Sequence, residues 1–280
     1  MERITAHGMS MPKLGLGTFR LKGDECTQAV QTALGLGYRH IDTAEMYDNE
    51  AAIGEAIAHA GLPRADLHVT TKVWWDHLAG DGIARAIDAS LERLRLDHVD
   101  LYLIHWPAKD MDLPDAIEKL VAVKERGQAR AIGVANFPAA LFSRAVNEIG
   151  APIACNQFEY HVLLGQGPVV DATRAAGAAV TAYCPLAQGR LADHKALHAL
   201  AEKHNASPAQ IALAWLLEQD GVSAIPKAGR RESQQANLGA LDIKLDEADR
   251  AAIAKLPKTE RCVNPGFAPV WDANTLDKAA

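Results

Sequence analysis

The alternation of short β-branched segments with longer helical segments is the feature that most restricts how this 280-residue chain can fold. Eight segments read as strands, and each is followed by a stretch with helical periodicity, which is the pattern of βαβ units around a parallel sheet. The predicted strands are Leu14–Phe19, His40–Asp42, Val69–Val73, Val99–His105, Ala131–Asn136, Ile153–Phe158, Val180–Cys184 and Ser223–Lys227. The predicted helices are Glu25–Leu36, Glu50–Ala60, Gly82–Leu94, Leu113–Arg126, Ala139–Glu148, Val169–Ala176, Ser207–Glu218 and Arg231–Ala240.

Residues at the segment boundaries support this division. Asn49 stands where its side chain can cap the second helix, and Pro208 suits the first turn of the seventh. Four predicted helices are followed by a glycine, as helix C-termini commonly are: Gly61, Gly127, Gly150 and Gly177. Eight units in about 230 residues, without a Pro- or Ser-rich linker, predict one α/β domain over residues 1–280: a (β/α)8 TIM barrel rather than two doubly wound domains.

Two segments fall outside the eight units. The stretch HGMSMP, residues 7–12, predicts a short N-terminal hairpin that plugs the floor of the barrel. The Pro-rich stretch LPKTERCVNPGFAPVWD, residues 256–272, carries aromatic residues that must pack on something. In a barrel the open mouth is the expected place, so we predict a C-terminal loop over it.

Composition excludes several classes of protein. With 49% hydrophobic and 23% charged residues the chain is neither disordered nor membrane-like, and its apolar runs end before the roughly 18 residues of a membrane helix. The N-terminus lacks signal-peptide features, so we expect a cytoplasmic protein. The net charge of −6 gives nucleic acid no positive surface to bind. None of the predicted helices has an exposed apolar face, so we expect a monomer. The four cysteines are scattered singly, which argues against a disulfide framework and a zinc ribbon.

Function in a barrel of this kind collects at the C-terminal ends of the strands. Seven of the eight predicted strand ends are polar, although such positions flank a core, and a shared site would explain this. The eight residues are Phe19, Asp42, Lys72, His105, Asn136, Gln157, Tyr183 and Lys227.

Four residues suggest proton donation to a carbonyl oxygen. In the stretch GYRHIDTAEMYDNE, Asp42 ends a strand and Tyr47 follows five residues later. A tyrosine with the ordinary pKa of about 10 is a poor acid, and we expect the ammonium of Lys72 to lower that pKa. Asp42 would keep the buried lysine charged, while His105 would hydrogen-bond the oxygen. Taken singly, each residue also has an ordinary interpretation, such as turn capping by Asp42.

Other catalytic classes find little support in the sequence. No G-x-S-x-G motif is present, so a serine nucleophile activated by a base is not indicated. His194 and His198 lie four residues apart on a predicted helix, but a third ligand is not nearby, and no metal site is predicted.

Reduction of a carbonyl requires an electron donor, and therefore a cofactor. The GLG at residues 15–17 is followed by Arg20 where a dinucleotide-binding fingerprint needs glycine. Barrels instead bind phosphate near the loops after strands seven and eight, where PLAQGRL offers Gly189 and IPKAGRRE offers Lys227, Arg230 and Arg231. The excess of positive charge favours NADPH over NADH, although an ordinary solvated basic loop remains an alternative for this stretch.

Eight segments of the chain, in order and spacing, resemble the aldo-keto reductases: LGLGTF, GYRHIDTAEMYDNE, VTTKVW, VDLYLIHWP, GVANF, NQFEYH, TAYCPLAQGRL and IPKAGRRE. The resemblance spans nearly the whole chain. It implies that Tyr47 is the general acid, that Lys72 and Asp42 tune it, and that His105 orients the carbonyl.

The same resemblance implies the ligand contacts. Asn136 and Gln157 would hold the nicotinamide carboxamide, Tyr183 would stack on the ring, and Lys227 with Arg230 would take the adenosine phosphate. The implied cofactor-binding residues are Gly17, Thr18, Phe19, Asp42, Asn136, Gln157, Tyr183, Pro185, Leu186, Gln188, Gly189, Ile225, Lys227, Arg230 and Asn237. The implied substrate-binding residues are Phe19, Tyr47, Trp74, His105, Trp106 and Trp271.

The chain departs from the family pattern at three positions. Ala135 replaces a serine that would bond the carboxamide, Ser233 replaces a second arginine, and Cys184 replaces a serine. NADH is therefore a possible weaker cofactor. The resemblance implies NADPH-dependent reduction of small aldehydes and ketones, with 2,5-diketo-D-gluconate and methylglyoxal as candidate substrates. The alternatives are a nicotinamide-binding regulatory subunit with little turnover and a Schiff-base aldolase that uses Lys72.

Overall fold

An eight-stranded parallel barrel forms the centre of the computed structural model, which describes residues 1–273. Its strands are β3 (Leu16–Gly17), β4 (His40–Asp42), β5 (His68–Val73), β6 (Val99–Ile104), β7 (Ala129–Ala135), β8 (Ile153–Glu159), β9 (Ala179–Tyr183) and β10 (Val222–Ala224). They are hydrogen-bonded in sequence order from β3 to β10. Parallel bridges from Leu14 to Ala224 and from Gly17 to Lys227 join the first strand to the last. The predicted (β/α)8 fold is confirmed.

The floor of the barrel is closed by an antiparallel hairpin of β1 (Arg3–Ala6) and β2 (Met9–Pro12), as predicted. Met11 is fully buried and packs in one apolar cluster with residues of β6, β7, β8 and β9. Small side chains on these strands leave room for it. At Gly133 a Cβ would lie 2.5 Å from the Cys155 carbonyl oxygen, so only glycine lets β7 and β8 approach this closely here.

Helices surround the barrel, and residues 1–273 contain ten of them. They are α1 (Gly23–Gly35), α2 (Glu50–His59), α3 (Gly82–Leu94), α4 (Leu113–Glu125), α5 (Ala139–Ser143), α6 (Gly167–Ala175), α7 (Lys195–Lys203), α8 (Pro208–Leu217), α9 (Arg231–Gly239) and α10 (Glu247–Ala254). Eight match the predicted helices within a few residues, with α5 continuing as a π-helix over Arg144–Glu148. The α7 and α10 helices lie outside the eight predicted units and pack on each other and on α8, around Leu197 and Ile253.

The signals at the helix ends are partly confirmed. Pro208 does occupy the first turn of α8, and Gly61 and Gly127 adopt positive φ angles of 63° and 75° after their helices. The capping role of Asn49 is wrong: it stands before α2, but its side chain makes no cap bond. Its amide nitrogen instead donates to the Thr18 and Leu21 carbonyl oxygens, because those loop groups are buried and need a donor.

No helix within residues 1–273 combines the length and apolar character required to cross a membrane.

Candidate active site

Four side chains from three neighbouring strands meet at the barrel mouth. Asp42 ends β4, Lys72 lies near the end of β5, and His105 follows β6, while Tyr47 ends a 3-10 turn after β4. Adjacent parallel strands bring their C-terminal ends to one edge, which explains the meeting. The Lys72 Nζ lies 5.0 Å from the centroid of the Tyr47 ring, and the Tyr47 and His105 rings are 5.5 Å apart.

Lys72 and Asp42 form a buried ion pair. The Lys72 Nζ donates to Asp42 Oδ1 at 2.6 Å and to the Thr43 carbonyl oxygen at 2.7 Å, with side-chain exposures of 0% for Lys72 and 2% for Asp42. Burial lowers the pKa of Lys72, and the Asp42 carboxylate opposes that shift. A buried ammonium persists only with such a partner, so Asp42 acts as counter-ion and not as a turn cap.

The expected lowering of the Tyr47 pKa is wrong for this arrangement. Burial first, and then the charge of Asp42, raise the pKa of Tyr47 well above its ordinary value. The reason is geometric, since the ammonium of Lys72 points its hydrogen bonds at Asp42 and Thr43 and not at the phenol oxygen. At neutral pH Tyr47 therefore carries its proton, as a proton donor must.

His105 is neutral and partly unpaired. Burial, followed by the nearby charge of Lys72, holds the pKa of His105 well below its ordinary value. Its Nδ1 is buried without a hydrogen-bond partner among residues 1–273, whereas its Nε2 is accessible. Because a buried N–H without an acceptor is costly, we assign the ring proton to Nε2, where it can bond an incoming oxygen.

The three side chains predicted to hold a nicotinamide lie on consecutive strand ends. The Tyr183 hydroxyl donates to Asn136 Oδ1 at 2.7 Å, and the Asn136 amide donates to the His105 carbonyl oxygen at 2.9 Å. The Gln157 amide donates to Asp42 Oδ2 at 2.8 Å. Asn136 has a φ of 61°, a conformation that asparagine tolerates well. Amide donors and acceptors beside an aromatic ring fit a planar carboxamide heterocycle.

The loop after β10 carries three basic side chains that form no ion pair with residues 1–273. Lys227 is exposed, and Arg230 precedes the first turn of α9, where backbone N–H groups are unpaired. Within the described residues, Lys227, Arg230 and Arg231 make no ion pair and no side-chain hydrogen bond. Three such cations at a helix N-terminus fit a phosphate group.

The structure places the other predicted cofactor residues around this edge of the barrel. Gly17 lies where a Cβ would approach the Ile225 carbonyl oxygen at 2.5 Å, so it permits closure of the barrel. Thr18 bonds the Asp42 carbonyl oxygen through its hydroxyl at 2.8 Å. Four predicted residues lie in the loop after β9, where Gln188 and Gly189 have positive φ angles: Pro185, Leu186, Gln188 and Gly189.

Asn237, the last predicted cofactor residue, lies on a helix outside the barrel strands. It is buried in α9 beside Tyr38, whose hydroxyl donates to the Gln234 carbonyl oxygen at 2.9 Å.

Aromatic rings line the mouth. Phe19 lies 5.0 Å from Tyr47, and Trp74 lies 5.0 Å from His105, measured between ring centroids. The C-terminal tail covers this wall, as predicted, because Phe267 contacts Trp74 at 5.6 Å and Trp106 at 5.5 Å.

Trp271, an implied substrate-binding residue, contacts Trp106 at 5.9 Å. Other residues of the wall were not predicted as site residues from the sequence: Trp75 and Phe267 pack at 5.6 Å. Glu45 accepts a hydrogen bond from the Trp74 amide at 2.5 Å and so fixes the start of that loop. The aromatic residues of the Pro-rich tail were a usable signal for Phe267, but nothing local marked Glu45.

Glu159 fastens the tail to the barrel. Its buried carboxylate accepts hydrogen bonds from His161 Nε2 at 3.0 Å, from the Cys262 amide at 2.6 Å and from the Val263 amide at 2.8 Å. Burial opposes ionisation, yet these bonds outweigh it and hold the pKa of Glu159 below its ordinary value.

The side chains of Glu159, His161 and Cys262 together are of the types that ligate metal ions. Atoms of Glu159, His161 and Cys262 that could ligate an ion lie within 4.8 Å of one another. The sequence did not suggest this group, because Cys262 lies 101 residues after His161. Hydrogen bonds already satisfy Glu159 and both ring nitrogens of His161, since Nδ1 accepts from the Leu163 amide at 3.3 Å. The cluster therefore serves as a fastening in this structure.

Comparisons with known proteins agree with the site. The model of the Aldo/keto reductase family matches residues 13–258. Methylglyoxal reductase DkgB of Salmonella typhi is 44% identical over 268 residues, covering 94% of this chain and 100% of that protein. The glyoxal reductase of Bacillus subtilis is 40% identical over 258 residues, covering 91% and 92%.

Solved structures give the same assignment. A crystal structure provisionally described as 2,5-diketo-D-gluconic acid reductase B superposes with a TM-score of 0.94 at 40% identity and covers 98% of both chains. The aldose reductase of Schistosoma japonicum superposes with a TM-score of 0.91 at 28% identity, covering 96% of this chain and 99% of that one. Aldo-keto reductases use nicotinamide cofactors. The family match and these identities show that the chain belongs to the aldo-keto reductase family and is an oxidoreductase acting on carbonyl groups.

Proposed function

We propose that this chain reduces small aldehydes and ketones to alcohols with NADPH, and that Tyr47 is the proton donor. The observation that carries the proposal is the buried Lys72–Asp42 pair beside a protonated Tyr47 and a neutral His105. Tyr47 and His105 border a mouth lined by aromatic rings, which suits small carbonyl compounds.

In this reaction the cofactor, when bound, supplies the hydride to the carbonyl carbon. The chain's own residues act on the carbonyl oxygen. His105 Nε2 donates a hydrogen bond that orients the oxygen, and the Tyr47 hydroxyl gives its proton to the oxygen as negative charge develops there. The phenolate left on Tyr47 lies near the Lys72 ammonium, which stabilises it until solvent restores the proton.

The preference for NADPH rests on the loop after β10. The unpaired charges of Lys227, Arg230 and Arg231 suit an additional phosphate on the adenosine ribose. Ala135 and Ser233 each remove one polar group that the family pattern supplies, so NADH is proposed as a weaker cofactor.

The candidate substrates are 2,5-diketo-D-gluconate and methylglyoxal. Support comes from the names of similar proteins, since one relative is a methylglyoxal reductase and one structure is described as a 2,5-diketo-D-gluconic acid reductase.

The test is loss of nicotinamide absorbance when the purified protein is mixed with NADPH and either substrate. We expect turnover, and we expect Tyr47→Phe to reduce kcat by about 10²–10⁴-fold, the usual contribution of a positioned acid. Tyr160→Phe is the matched control, because its hydroxyl bonds Gln219 and lies outside the proposed site. A rate for Tyr47→Phe within a few-fold of the parent would refute the proton-donor role.

Two outcomes would favour the alternatives. Tight NADPH binding with negligible turnover of many carbonyls would indicate a regulatory subunit. A borohydride-trapped adduct on Lys72 would indicate an aldolase.

A further inference from the structure

A guanidinium on the C-terminal tail borders the aromatic wall. The Cζ of Arg261 lies 3.9 Å from the centroid of the Trp271 ring, and Trp271 contacts Trp106, the residue after His105. Two ring contacts therefore connect this positive charge to the residue beside the proposed catalytic histidine.

Apart from the Trp271 ring, the guanidinium of Arg261 has no partner among residues 1–273. Among residues 1–273 its side chain makes neither a hydrogen bond nor an ion pair. Its Nη1 is buried without a partner, while Nε and Nη2 are accessible. The neighbouring residue Glu260 is a useful contrast, since it pairs with Arg190 at 2.9 Å.

The acidic groups nearest to Arg261 are occupied elsewhere. Glu159, Asp272 and the Tyr183 phenol are close enough to the Arg261 guanidinium to interact with its charge. The carboxylate of Glu159 is taken by His161 and two tail amides, and Asp272 accepts a hydrogen bond from the Ala139 amide at 2.9 Å. Burial lowers the pKa of the Arg261 guanidinium, and these groups oppose that shift. A partly buried, unpaired cation gains most from a ligand anion.

The tail is fastened on both sides of this residue. Before it, the Glu260 amide donates to the Leu163 carbonyl oxygen at 2.9 Å, and after it the Cys262 amide bonds Glu159. The contact of Cζ with the Trp271 ring, at 3.9 Å from the ring centroid, restrains the guanidinium further. Its position is thus set before any ligand arrives, which reduces the entropy lost on binding.

We propose that Arg261 binds the carboxylate of the substrate, so that carbonyl compounds carrying an acid group are the preferred class. The proposal rests on the reductase function proposed above. The accessible Nε and Nη2 form the edge of a guanidinium that can donate two parallel hydrogen bonds to a carboxylate. Of the two candidate substrates, 2,5-diketo-D-gluconate carries a carboxylate and methylglyoxal does not.

The experiment compares two aldehydes of nearly equal shape, 4-carboxybenzaldehyde and its methyl ester, with NADPH. In Arg261→Gln we expect kcat/KM for the acid to fall about 10–100-fold, mainly through KM, while the ester changes less than about threefold. Arg261→Lys keeps the charge without the paired geometry and should give an intermediate loss. Arg85→Gln is the matched control, because its ion pair with Asp81 is exposed and lies within one helix turn.

Several outcomes would overturn the proposal. An equal fall for the acid and the ester would mean that Arg261 only packs the tail, and no change for either would mean that it binds nothing. A raised KM for NADPH with unchanged selectivity would assign the guanidinium to a cofactor phosphate.

Calorimetry with the two alcohol products separates this inference from the reductase function. Stronger binding of 4-(hydroxymethyl)benzoate than of its methyl ester, lost in Arg261→Gln, would support the carboxylate site even if no turnover were seen. Equal binding of both products by the parent would overturn it, whereas absent turnover alone would refute only the reductase.

Discussion

The floor and the mouth of the barrel use the same two strands for opposite purposes. At the floor end of β4 and β5, His40 lies in register with His68, and the two rings meet edge to face at 4.8 Å. At the mouth end the same strands carry Asp42 and Lys72. Both ends bury polar side chains, but only the mouth buries a charged pair beside an opening.

The floor shows what a structural polar cluster looks like. The hairpin covers it, and His40 Nδ1 bonds the Pro12 carbonyl oxygen at 3.3 Å. Burial lowers the pKa of His40 to about 4 and holds that of His68 well below its ordinary value, so both are neutral. Gly15 is required here, since a Cβ would lie 2.6 Å from His40 Nδ1. The mouth instead pairs Lys72 with Asp42, and it leaves Tyr47 half-buried, as contact with a substrate requires.

Removal of the mouth ammonium should have the largest effect. Lys72→Met takes away the charge that stabilises the Tyr47 phenolate, and we expect kcat to fall by about 10²–10⁴-fold. It also leaves Asp42 buried without its counter-ion, which should lower the free energy of unfolding by about 3–5 kcal/mol. Initial rates and urea unfolding measure the two effects.

A double variant separates activity from stability at the mouth. Asp42→Asn combined with Lys72→Met removes both charges, so we expect most of the stability to return while the enzyme stays inactive. A double variant as unstable as Lys72→Met alone would show that the pair is not an isolated ionic unit.

The buried histidines of the floor should affect the pH dependence of the free energy of unfolding and not the activity. The unfolded chain has an ordinary His40 pKa of about 6.5. Between that pH and about 4 the unfolded state binds a proton that the folded state excludes. The free energy of unfolding should therefore fall as the pH falls through this window, by about 1.4 kcal/mol per pH unit from His40, and His68 acts in the same direction.

Urea titrations across this window, on the parent and on His40→Asn, isolate that contribution from the acid response of the carboxylates. The variant should show a shallower slope and a turnover rate close to the parent's at neutral pH. Identical slopes would mean that His40 is protonated in the folded state.

The smallest expected effect is on the preference for NADPH over NADH, which depends on residues at the mouth. Ser233 is the third residue of α9, and Ser233→Arg would add a cation to the proposed phosphate site. We expect the ratio of kcat/KM for NADPH to that for NADH to rise by about fivefold, which corresponds to about 1 kcal/mol for an exposed charge pair. Ser233→Gln controls for side-chain size, and an unchanged ratio in both variants would argue against a phosphate at this position.

Much of the fold could be predicted because its signals are local. Hydrophobic periodicity and turn residues located the eight βα units within a few residues, and the barrel rule then brought Asp42, Lys72 and His105 together. The sequence-based prediction was wrong where two structural elements compete for the hydrogen bonds of one side chain. Asn49 has the right position for a helix cap, yet the carbonyl groups of a distant loop took its hydrogen bonds.

The sequence by itself determined the alternating pattern and the polar strand ends, and it supplied the residues proposed here for proton donation. The tertiary structure alone decided that Lys72 points its hydrogen bonds away from Tyr47 and that Glu159 fastens the tail. It also decided that Arg261 stacks on the aromatic wall without an ion pair in the part of the chain that the structure describes. Backbone periodicity depends on neighbours a few residues apart, and so it is written in the sequence. The direction of a hydrogen bond, the burial of a charge and the absence of a partner depend on groups that meet from distant parts of the chain, and only folding brings them together.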